Sequence, residues 1–156
     1  MFRGGNTVNL DAKGRLALPT RYRGPLEDRC QGQVVLTVHD DRCLLLYPQP
    51  DWDEIERKLV RLPNQNKRTR TLQRMLLGHA TEFEMDKNGR ILIPPRLREF
   101  ASLDKRVVLA GLGTGGGRID GLALGGLGIG AEDIRGLAAG GRIGARDQRD
   151  HTERGD

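Results

Sequence analysis

Asn9-Leu10-Asp11-Ala12-Lys13-Gly14-Arg15-Leu16-Ala17-Leu18-Pro19-Thr20-Arg21-Tyr22-Arg23 decides how this chain is read, because it occurs twice. The second copy is Glu84-Met85-Asp86-Lys87-Asn88-Gly89-Arg90-Ile91-Leu92-Ile93-Pro94-Pro95-Arg96-Leu97-Arg98. A shift of 75 positions lays Asp11 on Asp86, Gly14 on Gly89, Arg15 on Arg90, Pro19 on Pro94, Arg21 on Arg96 and Arg23 on Arg98. An internal repeat of this kind outranks other sequence signals, since it implies a repeated structural unit.

Each copy reads as the same short device. A polar turn comes first, in which Gly14 or Gly89 takes the positive φ of a tight reversal. A brief apolar run of strand length follows, Leu16-Ala17-Leu18 or Ile91-Leu92-Ile93. Pro19 or Pro94 stops that run from continuing as a central strand, and the residues behind it open a helix.

Between the copies, Val34 to Val38 is a β-branched strand, His39-Asp40-Asp41-Arg42 a hairpin turn and Cys43 to Tyr47 the returning strand. Asp51 stands three residues before Glu54, the capping-box spacing, with Trp52, Ile55, Leu59 and Leu62 at helical intervals behind it. A second helix runs from Thr69 to His79, with Leu72, Met75 and Leu76 on one face. Lys67, Arg68, Arg70 and Arg74 on its other faces read as a solvated or oligomer surface rather than a DNA contact. Arg106 to Ala110 answers the strand at Val34.

Met1-Phe2-Arg3-Gly4 ahead of Asn-Leu-Asp-x-Lys-Gly-Arg-x-x-x-Pro, with a second Asp-x-x-Gly-Arg-x-x-x-Pro block downstream, resembles the MraZ family of bacterial transcriptional regulators. That family carries two tandem AbrB-like (SpoVT/AbrB) domains. The resemblance covers about residues 1–112 and implies an α+β fold of two pseudo-repeated, interleaved swapped-hairpin β-barrel halves with helices packed outside. The expected domains are 1–50, a first AbrB-like domain; 51–80, a helical connector; and 81–112, a truncated second domain. Residues 113–156 are then a tail, disordered or frameshifted.

The tail is set apart by composition. From Gly111 onward there are 15 of the 22 glycines, no lysine and no aromatic residue. Glycine this dense resists ordering because each one gives up the most backbone entropy. The second half is therefore expected to lack the return strand and helix that match Cys43 to Leu62. A reading-frame shift between about Leu112 and Gly121 explains the change: Gly-Leu-Ala-Leu-Gly-Gly-Leu-Gly, encoded by GGC, CTG and GCG codons, reads one base over as a tryptophan-rich stretch like the aromatic strand and helix that related regulators have there. A native disordered tail is the alternative.

Composition bounds the function classes. Net charge is +5, and over residues 1–110 Lys and Arg outnumber Asp and Glu by 20 to 14, which is consistent with a polyanionic partner without demanding one. Cys30 and Cys43 have no metal-ligand or redox spacing and read as ordinary thiols of a reducing compartment. No run approaches the ~20 apolar residues of a membrane span. His39, His79 and His151 lie beside no nucleophile, and the glycines at 113 to 117 lack the Gly-Lys-Ser/Thr ending of a phosphate loop. No enzyme, metal, cofactor or small-molecule substrate is expected.

The repeated turns remain. Held by an aspartate and tipped by Lys, Gly and Arg, such a turn presents a guanidinium that can contact phosphates or fork onto a guanine edge. The other reading is internal: Asp11 with Arg15, and Asp86 with Arg90, as ion pairs that hold each turn closed. The family resemblance implies both roles together, with Asp11, Gly14, Asp86 and Gly89 forming and orienting the turns. It places Arg3, Lys13, Arg15 and Arg21 of the first half, and Lys87, Arg90 and Arg96 of the second, on a surface for double-stranded DNA. Arg23 and Arg98 add charge nearby, and Thr7, Asn9 and Asn88 can add hydrogen bonds to phosphates. The resemblance further implies a cytoplasmic, nucleoid-associated regulator that assembles as a closed homo-oligomeric ring. Its target would be short direct repeats in the promoter of its own operon, at the division and cell-wall gene cluster. An AbrB-like antitoxin is the alternative.

Overall fold

The computed structural model describes residues 5–39, 42–63, 65–111 and 122–126. Among the described residues eight strands and four helices run in the order β1 (Gly5–Asn9), β2 (Arg15–Ala17), α1 (Thr20–Cys30), β3 (Gln33–His39), β4 (Cys43–Pro48), α2 (Gln49–Arg61), α3 (Lys67–His79), β5 (Thr81–Glu84), β6 (Arg90–Leu92), α4 (Pro95–Phe100), β7 (Arg106–Gly111) and β8 (Leu122–Gly126). Six strands form one antiparallel sheet in the order β1-β7-β8-β4-β3-β5, and β2 pairs with β6 in a separate two-stranded ribbon.

The sheet order is a palindrome once the repeat is laid over it. β5 is the second copy of β1, β7 of β3 and β8 of β4, so each copy's first strand lies on the edge of the other copy's sheet half. The registers agree: Asn9 faces Arg106 where β1 meets β7, and Glu84 faces Gln33 where β5 meets β3. In the ribbon Leu16 faces its own repeat mate, Ile91. A pseudo-twofold axis therefore runs between β4 and β8 and between β2 and β6.

Alternation along the strands gives the sheet two apolar faces. Val34, Leu36, Val38, Leu44, Leu46, Val107, Leu109, Leu122 and Leu124 point into the main core, which Leu16, Leu18, Ile91 and Ile93 of the ribbon and Tyr22, Leu26 and Leu97 of α1 and α4 complete. On the opposite face Val35 packs with Trp52, Leu59, Leu76 and Leu77 of α2 and α3. Thr37, fully buried on that face, donates its hydroxyl to the Leu76 carbonyl at 2.6 Å, so this buried polar group is satisfied.

Three expectations are corrected. The sheet is open, with β1 and β5 as its edges, and does not close into a barrel; the ribbon and the two short helices cover the core where further strand pairing would have closed it. The return strand expected to be missing is present as β8, wedged between β7 and β4. Leu122 and Leu124 fill the main core, and Ala123 is small enough for the opposite face beside Leu45, Val108 and Ala110. Ladders on both sides outweigh the entropy that flanking glycines give up, and this part of residues 113–156 is strand. The remainder of that span, with the expected frame change between Leu112 and Gly121 and the predicted disorder, lies outside the described residues.

The third correction concerns Asp51. α2 starts three residues earlier than a cap at Asp51 would set it, with Pro48 at its N-cap and proline in its first turn, so Asp51 is not the N-cap residue. Instead it is buried and receives Arg29 Nη2 on both carboxylate oxygens, at 3.0 and 2.9 Å, tying α2 to α1.

Candidate nucleic-acid interface

Both repeated turns are built by one aspartate. Asp11 Oδ1 accepts the backbone N–H groups of Lys13 and Arg15 at 2.9 and 2.8 Å, and its Oδ2 accepts Arg15 Nε at 2.8 Å. Asp86 does the same for Asn88, Arg90 and Arg90 Nε, each at 2.9 Å. Backbone bonds close each loop: Gly14 N–H donates to the Asp11 carbonyl and Gly89 N–H to the Asp86 carbonyl, both at 3.0 Å. The Arg15 N–H lowers the Asp11 carboxyl below the usual carboxylate value; desolvation opposes it, and the Arg15 guanidinium lowers it further. Arg90 acts likewise on Asp86.

The turns also lock each other. Gly14 O accepts from Ile93 N–H and Gly89 O from Leu18 N–H, both at 2.9 Å, so each turn is hydrogen-bonded to the strand that leaves the other. Gly14 and Gly89 have φ of +85° and +71°, which glycine adopts without strain. Beneath Gly89 lies the side chain of Arg23, and beneath Gly14 lies that of Arg98, each arginine coming from the opposite repeat. Arg23 Nε donates to the Leu18 carbonyl at 2.6 Å, whereas Arg98 Nε is buried and, among the described residues, makes no hydrogen bond. These two residues buttress the turns. Their retention at the 75-residue spacing was the available signal, but only the strand exchange reveals which turn each supports.

On the ribbon Leu16 and Ile91 point into the core, which leaves Arg15, Ala17, Arg90 and Leu92 on the outer face. Arg15 pairs with Leu92 and Arg90 with Ala17, so the two arginines are diagonal neighbours, roughly 7–8 Å apart at the backbone. Their side chains are about one third exposed, at 33% and 32%. Both guanidiniums are pinned through Nε, and among the described residues their terminal Nη groups meet no acceptor. The ion pairs are thus formed in residues whose side chains stay partly exposed.

The other sequence-chosen residues are placed as follows. Lys13 and Lys87 are exposed on the turns, and Arg96 is exposed on α4. Arg21 is exposed but engaged: its Nη2 donates to Asn6 Oδ1 and, at 2.8 Å, to the Tyr22 hydroxyl, with the guanidinium 4.7 Å from the Tyr22 ring centre. Arg3 lies outside the described residues. Among the described residues no group of three or more His, Cys, Asp or Glu could hold a metal ion, and no helix is long and apolar enough to cross a membrane.

A family model described as "MraZ protein, putative antitoxin-like" matches residues 1–75 and 76–114. The chain belongs to the MraZ family. It is 60% identical over 113 residues to a Methylococcus capsulatus protein named transcriptional regulator MraZ, covering 72% of this chain and 74% of the relative. Proteins of the same name from Thioalkalivibrio sulfidiphilus and Pseudomonas aeruginosa are 58% and 57% identical over 113 and 112 residues, covering 72% and 71% of this chain and 75% and 74% of theirs. In this MraZ-family chain the matched span takes in both turns, both strands of the ribbon and both buttressing arginines.

Proposed function

We propose that this chain is a sequence-specific DNA-binding transcriptional regulator that reads DNA through the outer face of the β2–β6 ribbon. One observation carries the reading: Arg15 and Arg90, each held at Nε by an aspartate, are diagonal neighbours on that face with about a third of each side chain exposed. A two-stranded antiparallel ribbon fits the major groove of B-DNA, about 12 Å wide, and a guanidinium can fork onto guanine O6 and N7 there. Their diagonal separation of roughly 7–8 Å matches about two base-pair steps of ~3.4 Å. The pinning matters because an arginine already fixed by its own carboxylate loses less side-chain freedom on binding.

Lys13, Lys87, Arg96 and Arg3 are proposed as phosphate contacts around the ribbon, with Arg21 contributing from its Tyr22 anchor. A single protomer offers few such contacts, so avidity from a closed homo-oligomeric ring on short direct repeats fits the reading. The proposed target is the promoter of its own operon at the division and cell-wall gene cluster, and the proposed location is the cytoplasm, on the nucleoid.

Binding to a fragment from upstream of the gene, titrated with salt beside a scrambled fragment, tests this. Arg15→Ala is expected to abolish the preference for the upstream fragment while leaving the thermal midpoint near that of the parent, with Arg90→Ala smaller or similar in effect. Equal binding to both fragments by the parent protein would overturn the proposal. The antitoxin-like description of the matching family model supports a second reading, neutralisation of a small toxin; co-purification with the product of an adjacent co-transcribed gene would favour it.

A further inference from the structure

The two turns are equivalent in their hydrogen bonds and opposite in the charge that flanks them. At the first turn Leu10 N–H donates to the Lys105 carbonyl at 2.8 Å, and Asn9 lies opposite Arg106. At the second turn the matching bond runs from Met85 N–H to the Gly32 carbonyl at 2.9 Å, and Glu84 lies opposite Gln33. Lys105 and Arg106 on one side thus correspond to Gly32 and Gln33 on the other, and neutral Asn9 to Glu84. Glu27 reaches over Gly32, its carboxylate oxygen 3.2 Å from where a side chain would begin.

The first flank is also hollow. An open groove of about 670 Å³ runs beside the Asp11 turn, lined among others by Arg98, Asp104, Lys105 and Arg106. Asp11 in that lining is already neutralised by Arg15. That leaves three cations against one carboxylate, Asp104. Lys105 and Arg106 are exposed, and among the described residues neither makes an ion pair.

We infer that Lys105 and Arg106, which lie outside both repeated motifs, bind a DNA backbone phosphate run beside the first turn, and that the first turn is the anchored one of the two. The inference rests on the ribbon reading above and extends it: the pseudo-twofold protein sits on DNA with a polarity. Where Lys105 and Arg106 draw one strand's phosphates in, Glu84 and Glu27 hold the duplex off at the opposite flank.

The test compares the full-length parent, Arg15→Ala and Lys105→Ala/Arg106→Ala on the upstream and scrambled fragments across salt. Two phosphate contacts contribute about 1.8 to the slope of log K against log salt, so for each engaged protomer the double variant loses roughly 2 from the slope. Its deficit against the parent then grows by about 60-fold between 1 M and 0.1 M salt. Preference for the upstream fragment is retained, since phosphate contacts carry no sequence information. A companion Glu84→Gln variant is expected to bind more tightly at low salt. If Arg15→Ala abolishes the preference while the double variant keeps the parental slope, this inference fails and the ribbon reading stands. If the parent shows no preference to begin with, both fail. Thermal midpoints of the variants verify that they remain folded.

Discussion

Gly89→Ala and Gly14→Ala make the same chemical change at equivalent positions, yet the fold predicts unequal costs. Both residues sit at positive φ, where an alanine is disfavoured by roughly 1–2 kcal/mol. The difference lies beneath them. A Cβ at Gly14 would come within 2.8 Å of Arg98 Cζ, the far end of a flexible side chain whose Nε has no hydrogen bond to lose. A Cβ at Gly89 would come closer still to Arg23 Cδ, near the middle of a side chain held by its Nε–Leu18 carbonyl bond. Displacing Arg23 forfeits that charged-donor bond, about 1.5 kcal/mol. Gly89→Ala should therefore cost about 3 kcal/mol and Gly14→Ala about 1.5 kcal/mol. At about 2–4 °C per kcal/mol for a chain of this size, the thermal midpoint falls by roughly 6–12 °C and 3–6 °C respectively. In an Arg23→Ala background the extra cost of Gly89→Ala should vanish, leaving the backbone penalty alone. Scanning calorimetry or urea unfolding of the parent and these four variants reads these values. Equal losses at the two glycines, or an Arg23→Ala background that does not relieve Gly89→Ala, would refute the buttressing argument.

Further outcomes follow from other contacts. Asp11 and Asp86 have folded carboxyl pKa values below the ordinary 3.8, so their contribution is complete above that value and is lost as pH falls through the lower folded values. The urea midpoint should fall below about pH 4, and Asp11→Asn/Asp86→Asn should flatten that acid limb. Tyr47 is the reverse case: burial pushes its phenol up to about 12, so its contribution holds below the unfolded value near 10 and is lost as pH rises through 12. An absorbance titration should show that step, and Tyr47→Phe should remove it. Arg29→Met takes the Arg29 guanidinium from Asp51, whose side chain is 5% exposed against 37% for Arg29, and should cost about 2 kcal/mol, less than a wholly buried pair because the arginine is partly in water; urea unfolding should find Arg29→Met/Asp51→Asn less destabilised than the sum of the single changes. Leu124→Ala should cost about 2–5 kcal/mol in the same assay, as expected of a core position, and a loss under ~1 kcal/mol would contradict the placement of β8.

Much of this architecture is legible in the sequence because it is local. The Asp-x-x-Gly-Arg turn, the hairpin of β3 and β4, and the amphipathic spacing of α2 and α3 each depend on residues within a few positions of one another. What the sequence hides is non-local. Leu122-Ala123-Leu124 alternates correctly for a strand, but three residues in a glycine-rich tract cannot be told from a loop until β7 and β4 are seen to offer ladders on both sides. Asp51 at capping-box spacing reads as a cap until Arg29, 22 residues away, takes both of its oxygens. The site divides the same way. Asp11–Arg15 and Asp86–Arg90 are visible as i, i+4 pairs, whereas the support of Arg23 and Arg98, and the flank of Lys105 and Arg106, depend on strand exchange between the copies.

That exchange sets a timetable for synthesis. Val8 in β1 pairs with Val107 in β7, about a hundred residues later in the chain. At ~5–20 residues per second on the ribosome, the opening strand waits roughly 5–20 s before its partner exists. Over that interval the β3–β4 hairpin can form from its own residues, while its outer edges stand uncovered until β5 and then β8 emerge. The first repeat is thus a waiting template rather than a finished unit, and a nascent chain stalled before Arg106 is left with exposed strand edges of the kind that seed aggregation.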